Sequence, residues 1–148
     1  MKLVHGTCVE IDGTGILIQG PSGSGKSDLA LRLIDSGARL VSDDQTLLTE
    51  KAGQLIASSP ATISGIMEVR GIGLIHIHTR SEAAIGLIID LVDRDAVPRL
   101  PVPDLKVLTD AAPDIRLPVF QLHAFDSSTP AKVRLAVQVI QGKISLET

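Results

Sequence analysis

The chain has 148 residues, of which 44% are hydrophobic and 21% are charged, a balance that excludes a disordered segment and fits one globular domain. Aromatic residues make up 1% of the sequence and the formal net charge is -3, so it lacks the stacking side chains and the basic surface of a nucleic-acid-binding protein. The single cysteine, Cys8, excludes an internal disulfide and a thiolate metal cage, and we expect it to be a buried strand residue.

The sequence predicts neither a leader nor a membrane segment. Residues 1–5 lack the apolar core of a signal peptide. The longest apolar run, residues 83–91, is much shorter than the roughly 18 residues that a membrane span needs, and it contains Asp90. We therefore expect a cytoplasmic protein with no membrane and no nucleic-acid partner, folded as one domain over residues 1–148.

The first part of the chain predicts a hairpin followed by a βαβ unit. Residues 12–15 form a predicted turn, and residues 15–19 are a short apolar run typical of a buried strand. From Ser27 onward, apolar residues recur at the spacing of a helix, which is predicted to end at Gly37. Residues 39–42 form the next predicted strand. The order strand, loop, helix, strand predicts that the two strands pair in parallel.

The second part of the chain predicts a hairpin, a central strand and a final helix. Residues 46–49 and 54–57 flank a turn, and residues 74–78 alternate between apolar and polar side chains. Residues 85–92 are a nearly continuous apolar run, which is typical of a strand buried on both faces. After a proline-rich loop, residues 128–142 have the start signal, apolar period and terminal glycine of a helix.

A phosphate-binding loop is the most specific motif of the sequence. The pattern G-x-x-x-x-G-K-[ST] is matched by Gly20, Pro21, Ser22, Gly23, Ser24, Gly25, Lys26 and Ser27. The glycines of this motif let successive backbone N–H groups face phosphate oxygens, and the next helix directs its positive N-terminal end at the same anion. Lys26 is expected to reach the β- and γ-phosphates and the Ser27 hydroxyl to bind Mg²⁺. The motif therefore predicts a site for a nucleotide with Mg²⁺.

Two adjacent carboxylates, Asp43 and Asp44, follow the strand after this helix. Ligands of open parallel sheets bind at the carboxyl ends of strands, so both side chains are expected beside the phosphates. One can serve Mg²⁺ or its water, and the other can act as general base for an incoming hydroxyl. The alternative is a pair of solvated aspartates in a turn that ends the strand.

Other candidate residues have ordinary alternatives. Glu68 precedes two glycines and a strand, where it is either a metal ligand or part of a surface ion pair. Arg99, amid prolines, is either a charge-neutralising finger or a solvated side chain, and His5 is either catalytic or structural. His76 and His78 share one predicted strand face, but the sequence offers them no third metal ligand.

With these motifs in place, the sequence resembles the catalytic domain of the bacterial HPr kinase/phosphorylase family over nearly its whole length. The resemblance is carried by V-H-G at 4–6, D-G at 12–13, the phosphate loop at 20–27, G-A-R-L-V-S-D-D at 37–44 and M-E-V-R-G-I-G at 67–73. The last segment resembles the signature sequence of the family. The resemblance implies an α/β fold, a single P-loop NTPase-like domain with a mixed sheet.

The resemblance also implies a catalytic set. The catalytic histidine of the family corresponds to His5, and the phosphate-loop lysine corresponds to Lys26. The aspartate that transfers the proton corresponds to Asp43. The catalytic arginine corresponds to Arg99, although this correspondence crosses a shortened region of the chain.

The implied metal ligands are Ser27 and Glu68, with Asp44 on the metal side of the aspartate pair. Members of the family phosphorylate a serine of HPr, the phosphocarrier protein of the sugar phosphotransferase system, and can reverse this by phosphorolysis. The resemblance therefore implies Mg²⁺ and ATP, with pyrophosphate as an alternative phosphoryl donor. It also implies HPr as protein partner and a homo-oligomer, namely a hexamer.

Two departures from the family pattern qualify this interpretation. The N-terminal domain of longer members is absent from the sequence, so we expect a short form that consists of the catalytic domain. Where longer members carry P-V-x-x-G-R, residues 118–123 are P-V-F-Q-L-H, so we expect kinase activity to exceed phosphorolysis. The alternatives are a P-loop kinase of a small metabolite, which normally has an arginine-rich lid, and a nucleotide-sensing module without catalysis, which would not need both aspartates.

Overall fold

The computed structural model describes residues 1–147, so Thr148, the last residue of the predicted domain, lies outside the described residues. These residues form a nine-stranded mixed sheet, two helices and a separate two-stranded sheet, and neither helix is long and apolar enough to cross a membrane. In chain order the elements are β1 (Lys2–His5), β2 (Thr7–Ile11), β3 (Thr14–Gln19), α1 (Lys26–Asp35), β4 (Arg39–Ser42), β5 (Gln45–Lys51), β6 (Gln54–Ser58), β7 (Ile66–Val69), β8 (Gly73–His76), β9 (Glu82–Leu91), β10 (Leu105–Val107), β11 (Arg116–Leu122) and α2 (Thr129–Ile140).

Strand β9 is the centre of the large sheet, as the apolar run at residues 85–92 predicts. It pairs in parallel with β3 on one side. On the other side, its first residues pair antiparallel with β6 and its last residues pair in parallel with β11. The strand order through the sheet is β1-β5-β6-β9-β3-β2-β4, with β11 and β10 off this path. Because Gln19 lies opposite Asp90, β3 and β9 end at the same edge, where the phosphate loop begins.

The predicted pairing of β3 with β4 is wrong, because β2 lies between them. β2 is antiparallel to both strands, so β3 and β4 run in the same direction without contact through their backbones. The reason is the tight turn at Asp12 and Gly13, where φ is 50° and 85°. This turn folds β2 onto the edge of β3 before the chain enters α1, and the crossover therefore returns one strand farther out.

The core lies on both faces of the sheet, and the alternation of side chains along each strand assigns residues to a face. In β3, Ile16 and Ile18 face the cluster that includes both helices, whereas Leu17 faces the cluster on the opposite side. Leu87 and Ile88 of β9 divide in the same way. This burial on two faces explains why both strands are continuous apolar runs in the sequence.

Helix α1, which follows the phosphate loop, is fixed at its C-terminal end by α2. Arg134 donates hydrogen bonds to the carbonyl oxygens of Leu33 and Ser36 at 3.0 and 2.9 Å. The last carbonyls of a helix lack partners within the helix, so a guanidinium there stabilises it. The apolar faces of the two helices also meet in one core cluster. The position of the phosphate loop therefore depends on α2.

Two parts of the sheet structure are not predicted by the sequence. β7 pairs antiparallel with β8, so the segment before the predicted strand 74–78 is itself a strand, and His78 lies outside β8. β11 is hidden in the sequence by Pro118, which interrupts its apolar pattern. The proline is tolerated because pairing with β9 begins at the next residue, Val119.

Candidate active site

The predicted phosphate loop joins the end of β3 to the start of α1. Gly23 and Gly25 have φ of 80° and 98°, in the left-handed region that favours glycine, and Gly25 is the residue that caps α1. The Ser24 N–H donates a hydrogen bond to the Pro21 carbonyl at 3.0 Å, which closes the loop on itself. The first N–H groups of α1 have no partner within the helix. The segment therefore has the local structure of an anion-binding loop, as the motif predicts.

Lys26, the lysine of the motif, folds back over this loop. Its ammonium donates hydrogen bonds to the carbonyl oxygens of Gly20 and Pro21 at 2.9 and 3.0 Å. These neutral partners leave the positive charge without a carboxylate in contact with it among residues 1–147. The ammonium is therefore available for an anion that enters the loop.

Asp43 connects the phosphate loop to two strands. It lies directly after β4 and is only 9% exposed. Its Oδ1 accepts one hydrogen bond from the Ser27 hydroxyl at 2.7 Å and another from the Thr7 hydroxyl at 3.0 Å. Its Oδ2 accepts no hydrogen bond from any residue that the structure describes. One oxygen thus fixes the carboxylate, and the other remains free to accept a proton.

Thr7, which sequence reasoning misses, holds the aspartate pair in place. Its fully buried hydroxyl donates to Asp43 and accepts a hydrogen bond from the Asp44 N–H at 3.1 Å. Asp44 has a φ of 66°, and its carbonyl accepts a hydrogen bond from the Gly6 N–H at 2.8 Å. No local signal marks this threonine, because its partners lie more than thirty residues away. The left-handed turn at Asp44 is therefore secured by β2 and the residue before it.

His5 and Asp44 form the solvent-facing part of the same arrangement. The Nε2 atom of His5 lies 3.7 Å from Oδ1 of Asp44, and their side chains are 67% and 64% exposed. An ion pair with this exposure and distance contributes little to stability. Both side chains are therefore held loosely at the rim, where they are accessible from solvent.

These residues line a common cavity of about 650 Å³. Ligand sites typically have volumes of roughly 300–1,000 Å³. The predicted site residues on its wall are His5, Ser22, Gly23, Gly25, Lys26, Ser27, Asp43, Asp44 and Glu68. The cavity also includes Asp28, Leu31 and Phe125, which the sequence does not mark, and three residues of the predicted signature segment 67–73 without a predicted role, namely Met67, Val69 and Arg70. The β7–β8 hairpin therefore contributes a wall of the site through Glu68 and its neighbours.

The structure does not bring every predicted residue to this cavity. Arg99 lies exposed on the loop before β10 and is not among the lining residues, whereas Arg70 is. Gly20, Pro21 and Ser24 belong to the loop but do not line the cavity. Among residues 1–147, Arg70 is thus the arginine that lines this cavity.

The donor atoms around the cavity are suited to Mg²⁺ shared with a phosphate ligand. They comprise the Ser27 hydroxyl and the carboxylates of Asp43, Asp44 and Glu68. In the described part of the chain, no group of three or more His, Cys, Asp or Glu side chains is close enough to hold a metal by itself. Mg²⁺ commonly binds through one or two carboxylates, waters and substrate phosphates, so this open oxygen set fits it.

The cysteine takes no part in this chemistry. Cys8 is fully buried in β2, as predicted, and burial raises the pKa of its thiol to about 12. A buried thiol is a poor nucleophile because the thiolate is the reactive form. The reactive groups of the site are therefore oxygen and nitrogen groups.

Comparisons with known proteins agree with the resemblance seen in the sequence. The model of the family described as HPr Serine kinase C-terminal domain matches residues 1–124. A protein of Clostridium tetani named HPr kinase/phosphorylase is 53% identical over 74 residues, which are 50% of this chain and 24% of that protein. A protein of Exiguobacterium sp. with the same name is 42% identical over 104 residues, covering 65% of this chain and 33% of that protein.

A solved structure extends the match to the fold. It is the HPr(Ser) kinase/phosphatase from Coxiella burnetii, with 29% sequence identity and a TM-score of 0.82 over 97% of this chain and 92% of that chain. The predicted mixed α/β fold is therefore confirmed, although the chain spans only about a quarter to a third of the curated relatives. From the family match over residues 1–124, the chain belongs to the HPr serine kinase C-terminal domain family.

Proposed function

We propose that the chain transfers the γ-phosphoryl group of ATP, with Mg²⁺, to a serine of an HPr-type phosphocarrier protein. The observation that carries the proposal is the hydrogen bond from Ser27 of the phosphate loop to Asp43 at 2.7 Å, in a cavity that also contains Lys26. A phosphate site and a carboxylate with one free oxygen thus share one wall. The names of the relatives from Clostridium tetani and Exiguobacterium support HPr as the acceptor.

In this proposal the phosphate loop binds and orients the triphosphate. The N–H groups at the start of α1 hold the phosphates, and Lys26 exchanges the Gly20 and Pro21 carbonyls for β- and γ-phosphate oxygens. Phosphoryl transfer needs positioning and charge neutralisation more than covalent help from the protein. Pyrophosphate fits the same role as an alternative donor, because the loop contacts phosphates.

Asp43 acts as the proton acceptor. Its Oδ1 is occupied by Thr7 and Ser27, so its Oδ2 takes the proton as the serine oxygen attacks the γ-phosphorus and ADP leaves. Phosphorolysis reverses the transfer from pyrophosphate: an oxygen of inorganic phosphate attacks the phosphorus of phosphoserine, pyrophosphate forms, and protonated Asp43 gives its proton to the serine oxygen that leaves. His5 stands at the rim beside Asp44, where the acceptor protein enters.

Three side chains are proposed to bind Mg²⁺ or its waters, namely Ser27, Asp44 and Glu68. When bound, Mg²⁺ neutralises charge on the phosphate oxygens. Because Asp43 and not Asp44 contacts Ser27, the division of roles between the two aspartates needs a direct test. The hexamer implied by the resemblance stays a prediction.

The central test is transfer of label from radiolabelled ATP to a purified HPr-type protein, with the serine identified by mass spectrometry. We expect Lys26→Ala to abolish transfer, because the triphosphate loses its mobile positive charge, while the melting temperature stays close to that of the wild type. Lys132→Ala is the matched control, since Lys132 is an exposed lysine of α2 outside the cavity.

The same preparation distinguishes the competing outcomes. Transfer by Lys26→Ala at a near-wild-type rate would contradict the proposed phosphate site. Label on a small metabolite and not on the protein would reject HPr as acceptor. Phosphoserine-HPr with inorganic phosphate measures phosphorolysis, which we expect to be slower than the ATP-driven kinase reaction.

The two aspartates should respond differently to removal of their charge. We expect Asp43→Asn to lower turnover by about 10²–10⁴-fold, the usual contribution of a positioned base, with a much smaller change in ATP affinity. Asp44→Asn should raise the Mg²⁺ concentration needed for half-maximal rate more than it lowers the rate at saturating Mg²⁺. Turnover at saturating Mg²⁺ and a Mg²⁺ titration measure both effects. Equal losses of turnover in both variants at saturating Mg²⁺ would contradict the assignment.

Thr7→Val tests whether the buried hydroxyl positions Asp43. The isosteric change removes two hydrogen bonds, the one that Oδ1 of Asp43 accepts from the Thr7 hydroxyl and the one that the Asp44 N–H donates to it. We expect the free energy of unfolding to fall by about 1–3 kcal/mol and turnover to fall as well, with ATP affinity nearly unchanged. Urea denaturation and steady-state kinetics measure these effects, and Thr7→Ser, which keeps the hydroxyl, should restore both. Wild-type turnover in a destabilised Thr7→Val would show that Thr7 is only structural.

Arg70 and Arg99 form a matched pair for the charge-neutralising arginine. Arg70 lines the cavity and Arg99 does not, so we expect Arg70→Ala to lower turnover more than Arg99→Ala. A charge-assisted hydrogen bond of roughly 1.5–3 kcal/mol made only in the transition state corresponds to about 10–100-fold in rate. A larger loss in Arg99→Ala would instead support the arginine implied by the family resemblance. Initial rates with saturating ATP and acceptor provide the comparison.

A further inference from the structure

An exposed aromatic ring stands beside the phosphate loop. Phe125, in the loop between β11 and α2, lines the cavity and is 55% exposed, although phenylalanine is usually buried. It is one of only two aromatic residues in the chain, with Phe120. A Cβ atom added to Gly25 would lie 2.8 Å from its ring, so the ring lies directly over the residue that caps α1.

The backbone on both sides of this ring is fixed to the rest of the molecule. Arg32 of α1 donates hydrogen bonds to the carbonyl oxygens of Ala124 and Asp126, the two neighbours of Phe125. Arg94 pairs with the Asp126 carboxylate at 2.9 and 2.5 Å, and this contact lowers the pKa of Asp126. The loop that presents Phe125 is therefore held by α1 itself and by the loop after β9.

The ring contacts His123, and Phe125 is also one of the residues that line the cavity. The two rings meet edge to face, with centroids 5.8 Å apart and planes at 73°. His123 is in turn hydrogen-bonded through Nδ1 to the Val92 carbonyl at 3.0 Å. The ring thus has a defined position although it is half exposed. The open part of the ring offers a flat apolar surface at the cavity that Phe125 lines.

Two groups of apolar side chains line the cavity, and one of them, Met67 and Val69, lies on β7 beside Glu68. The part of the cavity proposed for the γ-phosphate is lined by charged groups, among them Asp43, Glu68 and Arg70. Leu31, one helical turn along α1 from Ser27, and Phe125 are apolar lining residues close to the helix start. A nucleotide with its phosphates on that helix start therefore meets the Phe125 ring on leaving the loop.

We propose that the ring of Phe125 is the stacking surface for the purine base of the nucleotide. The inference rests on the proposed function, since it requires the triphosphate to occupy the phosphate loop. Stacking on an aromatic face tolerates different bases because every base has a π-face. ATP and GTP should therefore depend on Phe125 to a similar degree.

The test compares a nucleotide with a ligand that has the same phosphates and no base. The dissociation constants of Mg·ATP and Mg·tripolyphosphate are measured by calorimetry for the full chain and for Phe125→Ala and Phe125→Leu. We expect both variants to weaken Mg·ATP by about 5–150-fold, the range of base–aromatic stacking, and to leave Mg·tripolyphosphate unchanged. Phe125→Leu keeps apolar volume over Gly25, so it covers the case in which Phe125→Ala does not fold. Phe120→Leu makes the same change outside the cavity and should leave both constants unchanged.

A second readout uses the absence of tryptophan from the sequence. Phe125→Trp introduces a single tryptophan, whose fluorescence should be quenched by Mg·ATP and not by Mg·tripolyphosphate. Equal weakening of both ligands in Phe125→Leu would overturn the proposal, because Phe125 would then only shape the loop, and unchanged binding of both would overturn it as well. Failure of the wild type to bind either ligand would instead reject the proposed function, and the base site with it.

Discussion

Oδ1 of Asp43 accepts hydrogen bonds from Ser27 at the start of α1 and from Thr7 on β2, and it thereby joins three segments that are distant in sequence. This contact requires β2 to lie beside β4, with Cys8 opposite Ser42. The insertion of β2 between β3 and β4 is therefore a condition for the site as well as a feature of the sheet. A direct parallel pairing of β3 with β4 would remove Thr7 from the aspartate.

The same helix, α1, is held at both ends and along its side. Its first turn carries the Lys26 and Ser27 side chains, Arg134 binds its last carbonyls, and Arg32 binds the loop around Phe125. A rigid helix is an advantage here because catalysis by positioned charges depends on groups that do not reorganise during the reaction. The partners of α1 are the phosphate loop itself, Asp43 after β4, helix α2 and the loop after β11, so distant parts of the chain contribute to the rigidity of one short segment.

Local features of the fold were predictable from the sequence and long-range ones were not. The phosphate loop, the helix after it and the hairpin of β5 and β6 follow from turn chemistry and from the apolar period, which depend on neighbouring residues. The pairing of β2 with β4, the hydrogen bonds of the Thr7 hydroxyl and the place of the Phe125 ring beside Gly25 depend on contacts between distant segments. The sequence does not show which arginine, Arg70 or Arg99, reaches the site. The fold decides this, because Arg70 lines the cavity and Arg99 does not.

The two proposed tasks of the cavity belong to different parts of the chain. The residues proposed for phosphoryl transfer lie between His5 and Arg70, within residues 1–124 that match the family model, whereas Phe125 lies just beyond them. The segment after the match is nevertheless part of the core, since Val133 and Val137 of α2 are buried against the sheet and α1. Phe125 lies beside Gly25, whereas no hydrogen bond joins it to Asp43 or Thr7 among the described residues. If both proposals hold, affinity for the base and chemistry at the γ-phosphate depend on residues from different parts of the chain.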